Sequence, residues 1–592
     1  MFASISKSYP VDPNFQLHGH AKYPCRSATY KGILFVRPAW AQRLAVVCPR
    51  RSVLNRGLRS GCHAAASGTN PAFTLGPAAH TNTMQFPRAS GVLLHPTSLP
   101  GPHGSGDLGP SAYHFVDWLV AGGQSLWQML PLGGIGLGNS SYMSSSAFAG
   151  NPLLIDLADL HRQGWLDAEA LVPATGLSDQ TVNFEPMIAF RMRVLTLAAA
   201  GFEARARAAD RQDFAAFCQQ QAAWLDDYAL FMALQVQHPN LPWNQWPQPL
   251  AQRESLALAQ ASLALAGACQ FWRFCQWVFF RQWRAFKAYA NGRGVRIIGD
   301  IPIFIAHQSA EVWARPDLFE LDAAGHRTVV AGVPPDGFSA TGQRWGNPLY
   351  RWSAHSADNY RWWIARVAGT CALVDLVRLD HFRGFESYWE IPASAPTAEQ
   401  GRWVPAPGDA LLRAVAEALG TLPIIAEDLG VITPEVDALR QRHGLPGMRV
   451  LQFAFGDDQD ASSRYLPHHH TADSVVYTGT HDNDTTEGWW HTLSDATRQH
   501  VRDYLDCDGQ GMAWALIRAA CASVADMAIY PMQDVLALDG AHRMNQPGVG
   551  EGNWVWRFQW VQVGPEPAQR LYHLARLYDR LPRPPGESHA AA

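Results

Sequence analysis

Short apolar runs that stop abruptly at a charged or polar cluster recur along this chain. They restrict its fold more than any other feature. Cys371–Leu379 ends at Asp380, Leu422–Ala426 ends at Glu427, and Ser474–Thr478 leads through Gly479 and Thr480 to His481 and Asp482. A strand reads as a continuous apolar run when both faces of its sheet are covered. Polar residues at the C-terminal ends of such strands are how a (β/α)8 barrel presents its active site. Three carboxylates so placed, with Arg378 two residues before the first, point to carboxylate chemistry on a substrate rich in hydroxyls.

The segments between the runs read as helices. Ala112–Ala121, Tyr360–Ala368, Pro407–Ala418, Pro434–His443 and Asp495–Leu505 are the clearest. Pro434 suits a first helical turn and Thr433 suits its N-cap. Further strands are expected at Gly91–Leu94, Leu126–Leu130 and Val295–Ile298, the last reaching Asp300. Residues of roughly 160–290 are rich in Ala, Leu, Gln and Arg. Met187–Ala200, Phe214–Gln237 and Ser255–Asn291 fit helical spacing there, interrupted by the Pro- and Trp-rich stretch Pro239–Pro249. Alternating strands and helices predict a parallel sheet, and so much helix between two strands predicts a helical insertion. Alternation alone leaves a closed barrel and an open doubly wound sheet both open. No GxGxxG follows the first strand, which argues against dinucleotide binding.

The chain has 592 residues, 47% apolar and 17% charged, ample for one large elaborated core. A formal charge of −4 gives no reason to expect a nucleic-acid or membrane partner. No apolar run approaches the roughly 18 residues of a membrane span. The nine cysteines are odd in number and include no CxxC, so neither a disulfide framework nor a zinc site is indicated. A reducing cytosol is the simplest compartment. Residues 1–85 stand apart, with Asp12 as their one acidic residue. They are expected to be a disordered extension, a transit peptide that would redirect the protein to a plastid, or an upstream frame ahead of Met84. Residues 581–592 are expected to be a disordered tail. The catalytic unit would then be 86–580. Oligomeric state is not legible.

Tryptophan is the unusual component, at 23 residues. Indole faces stack on the apolar faces of sugar rings, although most tryptophans serve as packing. Two carboxylates can cleave a glycosidic bond, one attacking the anomeric carbon and the other protonating the leaving oxygen. In the retaining route they lie about 5–5.5 Å apart. A cation beside the nucleophile helps it stay ionised, and burial keeps the acid protonated. In an extended strand Arg378 and Asp380 point to the same side, which supplies the first arrangement. Glu427 after Ile424-Ile425-Ala426 supplies the second. Structural ion pairs at strand ends are the competing reading.

The flanking words favour catalysis. They are SGVLLHPTSLPG (90–101), SAFAGNPLLIDL (146–157), GDIPIFIA (299–306), FSATGQRWGNPLYRW (338–352), RLDHFRGFESYW (378–389), AEDLGVIT (426–433), PGMRVLQFAF (446–455), YTGTHDNDTTEGWW (477–490) and RMNQPG (543–548). In this order the chain closely resembles the 4-α-glucanotransferase family, the amylomaltases or disproportionating enzymes. The resemblance implies an α/β fold: a distorted (β/α)8 TIM-like barrel with large, mostly helical insertions. It implies Asp380 as nucleophile, Glu427 as general acid/base and Asp482 as a third carboxylate that holds ring hydroxyls. Arg378 and His481 would bind the same sugar or orient the nucleophile, and Tyr142 would stack on it. Gln343 and Trp345 would contact the acceptor side, Asn545 would lie near the donor site, and Asp336 would meet substrate from a loop covering the glucan channel.

The implied partners are malto-oligosaccharides and other α-1,4-glucans, with no cofactor and no metal. Asp482-Asn483-Asp484 echoes a calcium loop, but the EF-hand Gly and Glu positions hold Glu487 and Leu493. His468–His470 reads as a solvated loop. Two words depart from the family. Its PPDYF is Pro334-Pro335-Asp336-Gly337-Phe338 here, so a glycine replaces an aromatic. Its SPY is Ser140-Ser141-Tyr142, which loosens a turn. An α-glucan hydrolase and a non-catalytic glucan-binding protein are the alternatives.

Overall fold

In a computed structural model of the chain, the described residues are 86–582 apart from 174, 337–338 and 457–459. The expectations for residues 1–85, for the tail beyond 582 and for Gly337 lie outside them.

The strands are β1 (Ala89–Leu93), β2 (Leu126–Gln128), β3 (Arg296–Ile301), β4 (Val329–Val333), β5 (Gln343–Pro348), β6 (Leu376–Leu379), β7 (Ser387–Pro392), β8 (Arg402–Pro405), β9 (Ile424–Ala426), β10 (Gly447–Val450), β11 (Ser474–Tyr477) and β12 (Met527–Pro531). Eight of them, β1, β2, β3, β6, β9, β10, β11 and β12, close in chain order into a parallel barrel. The closed barrel is therefore the outcome of the two topologies that alternation left open. Val92, Leu126, Ile298, Val377, Ile425, Val475 and Ile529 are fully or almost fully buried, as a strand covered on both faces requires. Helices such as Pro110–Ala121, Arg361–Leu373, Gly408–Leu419 and Met512–Ala522 alternate with the strands. Among the described residues between β10 and β11 there is no α-helix, only two short 3-10 turns, so the α/β alternation is broken there.

The insertion between β2 and β3 is helical as expected. Phe184–Arg205, Ala208–Gln237 and Ala266–Gly292 are its long members. They are fastened by rings: Phe202 lies 5.0 Å from Trp165 and 5.0 Å from Trp277, with Phe214 and Phe274 alongside. Much of the tryptophan surplus is thus packing. The pattern Ser255–Asn291 is two helices, Ser255–Ala264 and Ala266–Gly292, broken at Leu265. The first of these buries none of its residues fully and touches the core only through Leu258 and Ala261.

Other local expectations need correction. The run Cys371–Leu379 is not all strand, because the helix continues to Leu373 and β6 begins only at Leu376. A buried helix end and a buried strand share the same apolar pattern. Asp375 marks the junction, its Oδ2 accepting from the Ile297 N–H at 2.8 Å. Thr433 does sit at the N-cap of Pro434–Arg442, but its side chain makes no capping bond. His470 is not solvated: it is buried, bonded to Ser523 Oγ and the Tyr465 carbonyl, while His468 and His469 are exposed.

A second sheet accompanies the barrel. It is antiparallel, in the order β5-β4-β7-β8. Its strands leave and re-enter the chain on either side of β6, after β3 and before β9. It therefore stands at the C-terminal end of the barrel, next to the strand that carries Arg378 and leads to Asp380.

Candidate active site

The barrel's register assembles the site. Asp300 on β3 pairs with Arg378 on β6, and Leu379 on β6 pairs with Ala426 on β9. Asp380 and Glu427 each follow one member of that last pair, so they stand side by side at the ends of neighbouring strands. Backbone bonds fix both: Asp380 N–H donates to the Ile301 carbonyl at 2.9 Å, and Glu427 N–H to the Leu379 carbonyl at 3.1 Å.

Arg378 is buried, and its Nη1 lies 2.7 Å from Asp300 Oδ2 and 2.8 Å from Asp380 Oδ1. Burial opposes its charge, but Asp300 and Asp380 outweigh that and hold it firmly protonated. Asp380 remains partly open, with 26% of its side chain exposed. Asp300 is closed off, and burial pushes its carboxyl up to about 7 against the pull of Arg378. Tyr142 donates its hydroxyl to Asp300 Oδ2 at 2.8 Å. Asp300 was not singled out by sequence reasoning, although its position just past Val295–Ile298 carried the same signal as Asp380.

Glu427 is buried. Its Oε2 accepts from the His381 N–H at 2.7 Å and its Oε1 from the Leu429 N–H at 2.8 Å. Burial pushes its carboxyl up to about 7; Arg378 pulls the other way and Asp380 reinforces the rise. His381, whose N–H makes this bond, adopts a left-handed conformation, φ 52°, uncommon outside glycine. Burial holds the His381 ring neutral, with its pKa lowered to about 3.

The third carboxylate comes from the loop after β11. Asp482 is 43% exposed on its side chain, and Asn545 Nδ2 donates to its Oδ1 at 2.6 Å. His481 Nε2 lies 3.3 Å from Asp482 Oδ2, and burial lowers the His481 pKa. Asn483 and Asp484 fold back on their own loop: Asn483 Oδ1 accepts from Thr480, and Asp484 Oδ1 from the Thr485 N–H. Tyr142 stacks on His481 with ring centroids 5.3 Å apart and planes 13° from parallel. Ser140 Oγ accepts from the Tyr142 N–H at 3.2 Å, which fastens the turn that lacks a proline.

Gln343 and Trp345 lie on β5, where Trp345 Nε1 donates to Gln343 Oε1 at 3.1 Å. The Trp345 ring meets the His381 ring edge-on at 4.9 Å, which links this pair to Glu427. Asp336 is exposed on the loop after β4, its Oδ1 accepting from the Ser339 N–H at 2.8 Å. Contacts thus join Tyr142, Arg378, Asp380, Glu427, His481, Asp482 and Asn545 with the unforeseen Asp300. Gln343 and Trp345 flank them, and Asp336 stands on a loop of the second sheet. Among the described residues, no helix is long and apolar enough to cross a membrane.

The same architecture is found in known proteins. A family model described as 4-alpha-glucanotransferase matches residues 94–562. The chain is 52% identical over 506 residues to the 4-alpha-glucanotransferase of Thermus thermophilus, covering 84% of this chain and 100% of that one. It is 48% identical over 497 residues to that of a Synechocystis strain, covering 83% and 98%. Among solved structures, an amylomaltase from Streptococcus agalactiae in complex with acarbose superposes with a TM-score of 0.81 at 37% identity, over 83% of this chain and 99% of that one.

Proposed function

The chain belongs to the 4-alpha-glucanotransferase family, and from that we propose how its residues move a segment of an α-1,4-glucan to the 4-hydroxyl of glucose or another glucan. Asp380, held by Arg378, attacks the anomeric carbon while the Glu427 carboxyl gives its proton to the departing glycosidic oxygen. A covalent glycosyl ester on Asp380 results. The acceptor 4-hydroxyl then loses its proton to Glu427 and displaces Asp380, so configuration is retained. No metal or organic cofactor enters either step.

Burial of Glu427 matters because a carboxyl ionised at neutral pH would have no proton to give. Asp482, oriented by Asn545 and His481, takes ring hydroxyls of the same sugar, and Tyr142 covers that sugar's apolar face. Gln343, Trp345 and Asp336 serve the acceptor. The observation that carries this reading is the pairing of Leu379 with Ala426, which sets Asp380 beside Glu427 with Arg378 on the nucleophile's side.

Malto-oligosaccharides are the substrates this predicts, in the cytoplasm; import into a plastid would require residues 1–85 to act as a transit peptide. Residues 86–580 form the catalytic unit, so a chain starting at Met84 folds and works normally. Incubation with maltotriose tests the reaction. A ladder of longer products with glucose is expected; shortening without elongation would make the protein a hydrolase, and binding without turnover a glucan-binding protein.

A further inference from the structure

The loop that carries His481 and Asp482 runs over 479–485, between Thr478 directly after β11 and Thr486 at the start of the helix Thr486–Thr492. One carboxylate binds both of its ends. Asp534 lies on the short helix Met532–Val535, which follows β12, the strand that pairs with β11. Its Oδ2 accepts from Thr478 Oγ1 at 2.5 Å and from Thr486 Oγ1 at 2.7 Å, and its Oδ1 accepts from the Thr486 N–H at 2.7 Å. Asp534, Thr478 and Thr486 are all buried. Burial pushes the Asp534 carboxyl up to about 6, while the bonds from Thr478 and Thr486 pull the other way.

Each end of the loop needs holding. Gly479 follows Thr478, and a glycine leaves the backbone free to turn. Thr486 opens a helix, where the first N–H groups have no partner inside the helix. Between the ends, Asn483 Oδ1 accepts from the Thr480 N–H, and Gln452 Nε2 donates to the Asp484 carbonyl at 2.9 Å. Asn545 and Arg543 hold Asp482 itself, in the middle of the loop.

We propose that Asp534 is a positioning residue for the glucan reaction: by closing the loop at both ends with one carboxylate, it sets where Asp482 meets the ring hydroxyls of the bound sugar. This rests on the role given to Asp482 above. An ionised carboxylate only accepts, and three donors from the two loop ends converge on this one. Asp534 touches no reacting atom in this scheme. Its effect on the reaction passes through Asp482, and that is the property a test can read.

The test is a cycle of four proteins: unaltered, Asp534→Ala, Asp482→Asn and the double variant. It is read as kcat/KM for fluoride release from α-glucosyl fluoride with maltose as acceptor, a donor reactive enough for weak variants. Asp534→Ala alone should lower kcat/KM about 10- to 30-fold, and less than about threefold when Asp482→Asn is already present, because no carboxylate is then left to position. An equal fall in both backgrounds would make Asp534 a fastener of the barrel end and overturn the proposal; no fall in either would overturn it too. Thr478→Val and Thr478→Ser carry the test if Asp534→Ala does not fold. The valine keeps the shape of threonine without its hydroxyl and should lower kcat/KM about threefold or more, while the serine should stay within about twofold of the unaltered protein. A valine without effect, or a serine as poor as the valine, would overturn the proposal. A protein that shows the coupling of Asp534 to Asp482 but shortens maltotriose without elongating it would refute the transfer reading and support the positioning role.

Discussion

Asp300 and Arg378 are partners twice over: their backbones pair across β3 and β6, and Arg378 Nη1 lies 2.7 Å from Asp300 Oδ2. The same nitrogen lies 2.8 Å from Asp380, so Asp300 fixes where the guanidinium meets the proposed nucleophile. Asp300→Asn keeps the shape and removes one of the two anions. Loss of such a buried, charge-assisted contact should lower kcat about 10- to 100-fold with a smaller change in KM. Steady-state kinetics on maltotriose check this; an unchanged kcat would show that Arg378 is positioned without Asp300.

Glu427 should set the alkaline limit of the reaction. Its carboxyl is pushed up to about 7 by burial, so the acid form declines as pH rises through that value, and kcat/KM should fall with it. A profile flat to pH 9 would contradict this. The same shift acts on stability. A carboxyl raised on folding favours the folded state at acidic pH, and that contribution is lost as pH climbs through the folded value. Glu427→Gln removes the buried charge, so its Tm should gain on the unaltered protein between pH 5 and pH 8. A gap that narrows over that interval would reverse the sign.

Asn545 is expected to act through Asp482. Its Nδ2 donates to Asp482 Oδ1 at 2.6 Å, while Arg543 Nη2 donates to the Asp482 carbonyl at 2.8 Å. Asn545→Ala frees the carboxylate while leaving the backbone anchor, and kcat/KM should drop about 10- to 30-fold with Tm little moved. A large fall in Tm would instead make Asn545 a structural bond.

Asp428 carries a different load. It is fully buried next to Glu427, accepts from the Met448 N–H at 2.6 Å, and faces Arg464, Arg449 and Arg440 at 2.5, 3.3 and 3.5 Å. Removing the shared anion leaves guanidinium groups crowded in a low dielectric. Asp428→Asn should cost about 3–5 kcal/mol of stability, read as an earlier midpoint in urea. A midpoint unchanged from the parent would mean that Asp437, 3.8 Å from Arg440 and 3.5 Å from Arg464, and Asp473, 3.6 Å from Arg440, suffice for those two arginines.

The parts of the site that sequence exposes are those where one residue type breaks a uniform run. Asp380, Glu427 and Asp482 follow strands with no polar residue inside them except Arg378 and Ser474, so each ending stands out. Asp300 follows an equally apolar run, but it carries no local hint that its partner would be Arg378. That pairing is a property of the assembled barrel, when β3 meets β6 across the chain segment that holds β4 and β5. The second sheet itself is not legible in the sequence. β4 and β5 are five and six residues long, hold Gly332 and Gly346, and pair with β7 and with each other, not with the barrel. Short strands rich in glycine give little alternation to detect. Cys371–Leu373 belongs to the helix and not to the strand for the complementary reason, that burial writes the same letters into a helix end and a strand.

The covalent step is the centre of this account, and it can be caught. A fluorinated α-glucosyl fluoride should load the enzyme and, with deglycosylation slowed, leave one sugar attached. Mass spectrometry of the proteolysed protein should then find that added mass on the peptide containing Asp380, and Asp380→Asn should take up none. A label on Glu427 or Asp482, or full turnover by Asp380→Asn, would contradict the assignment of the nucleophile.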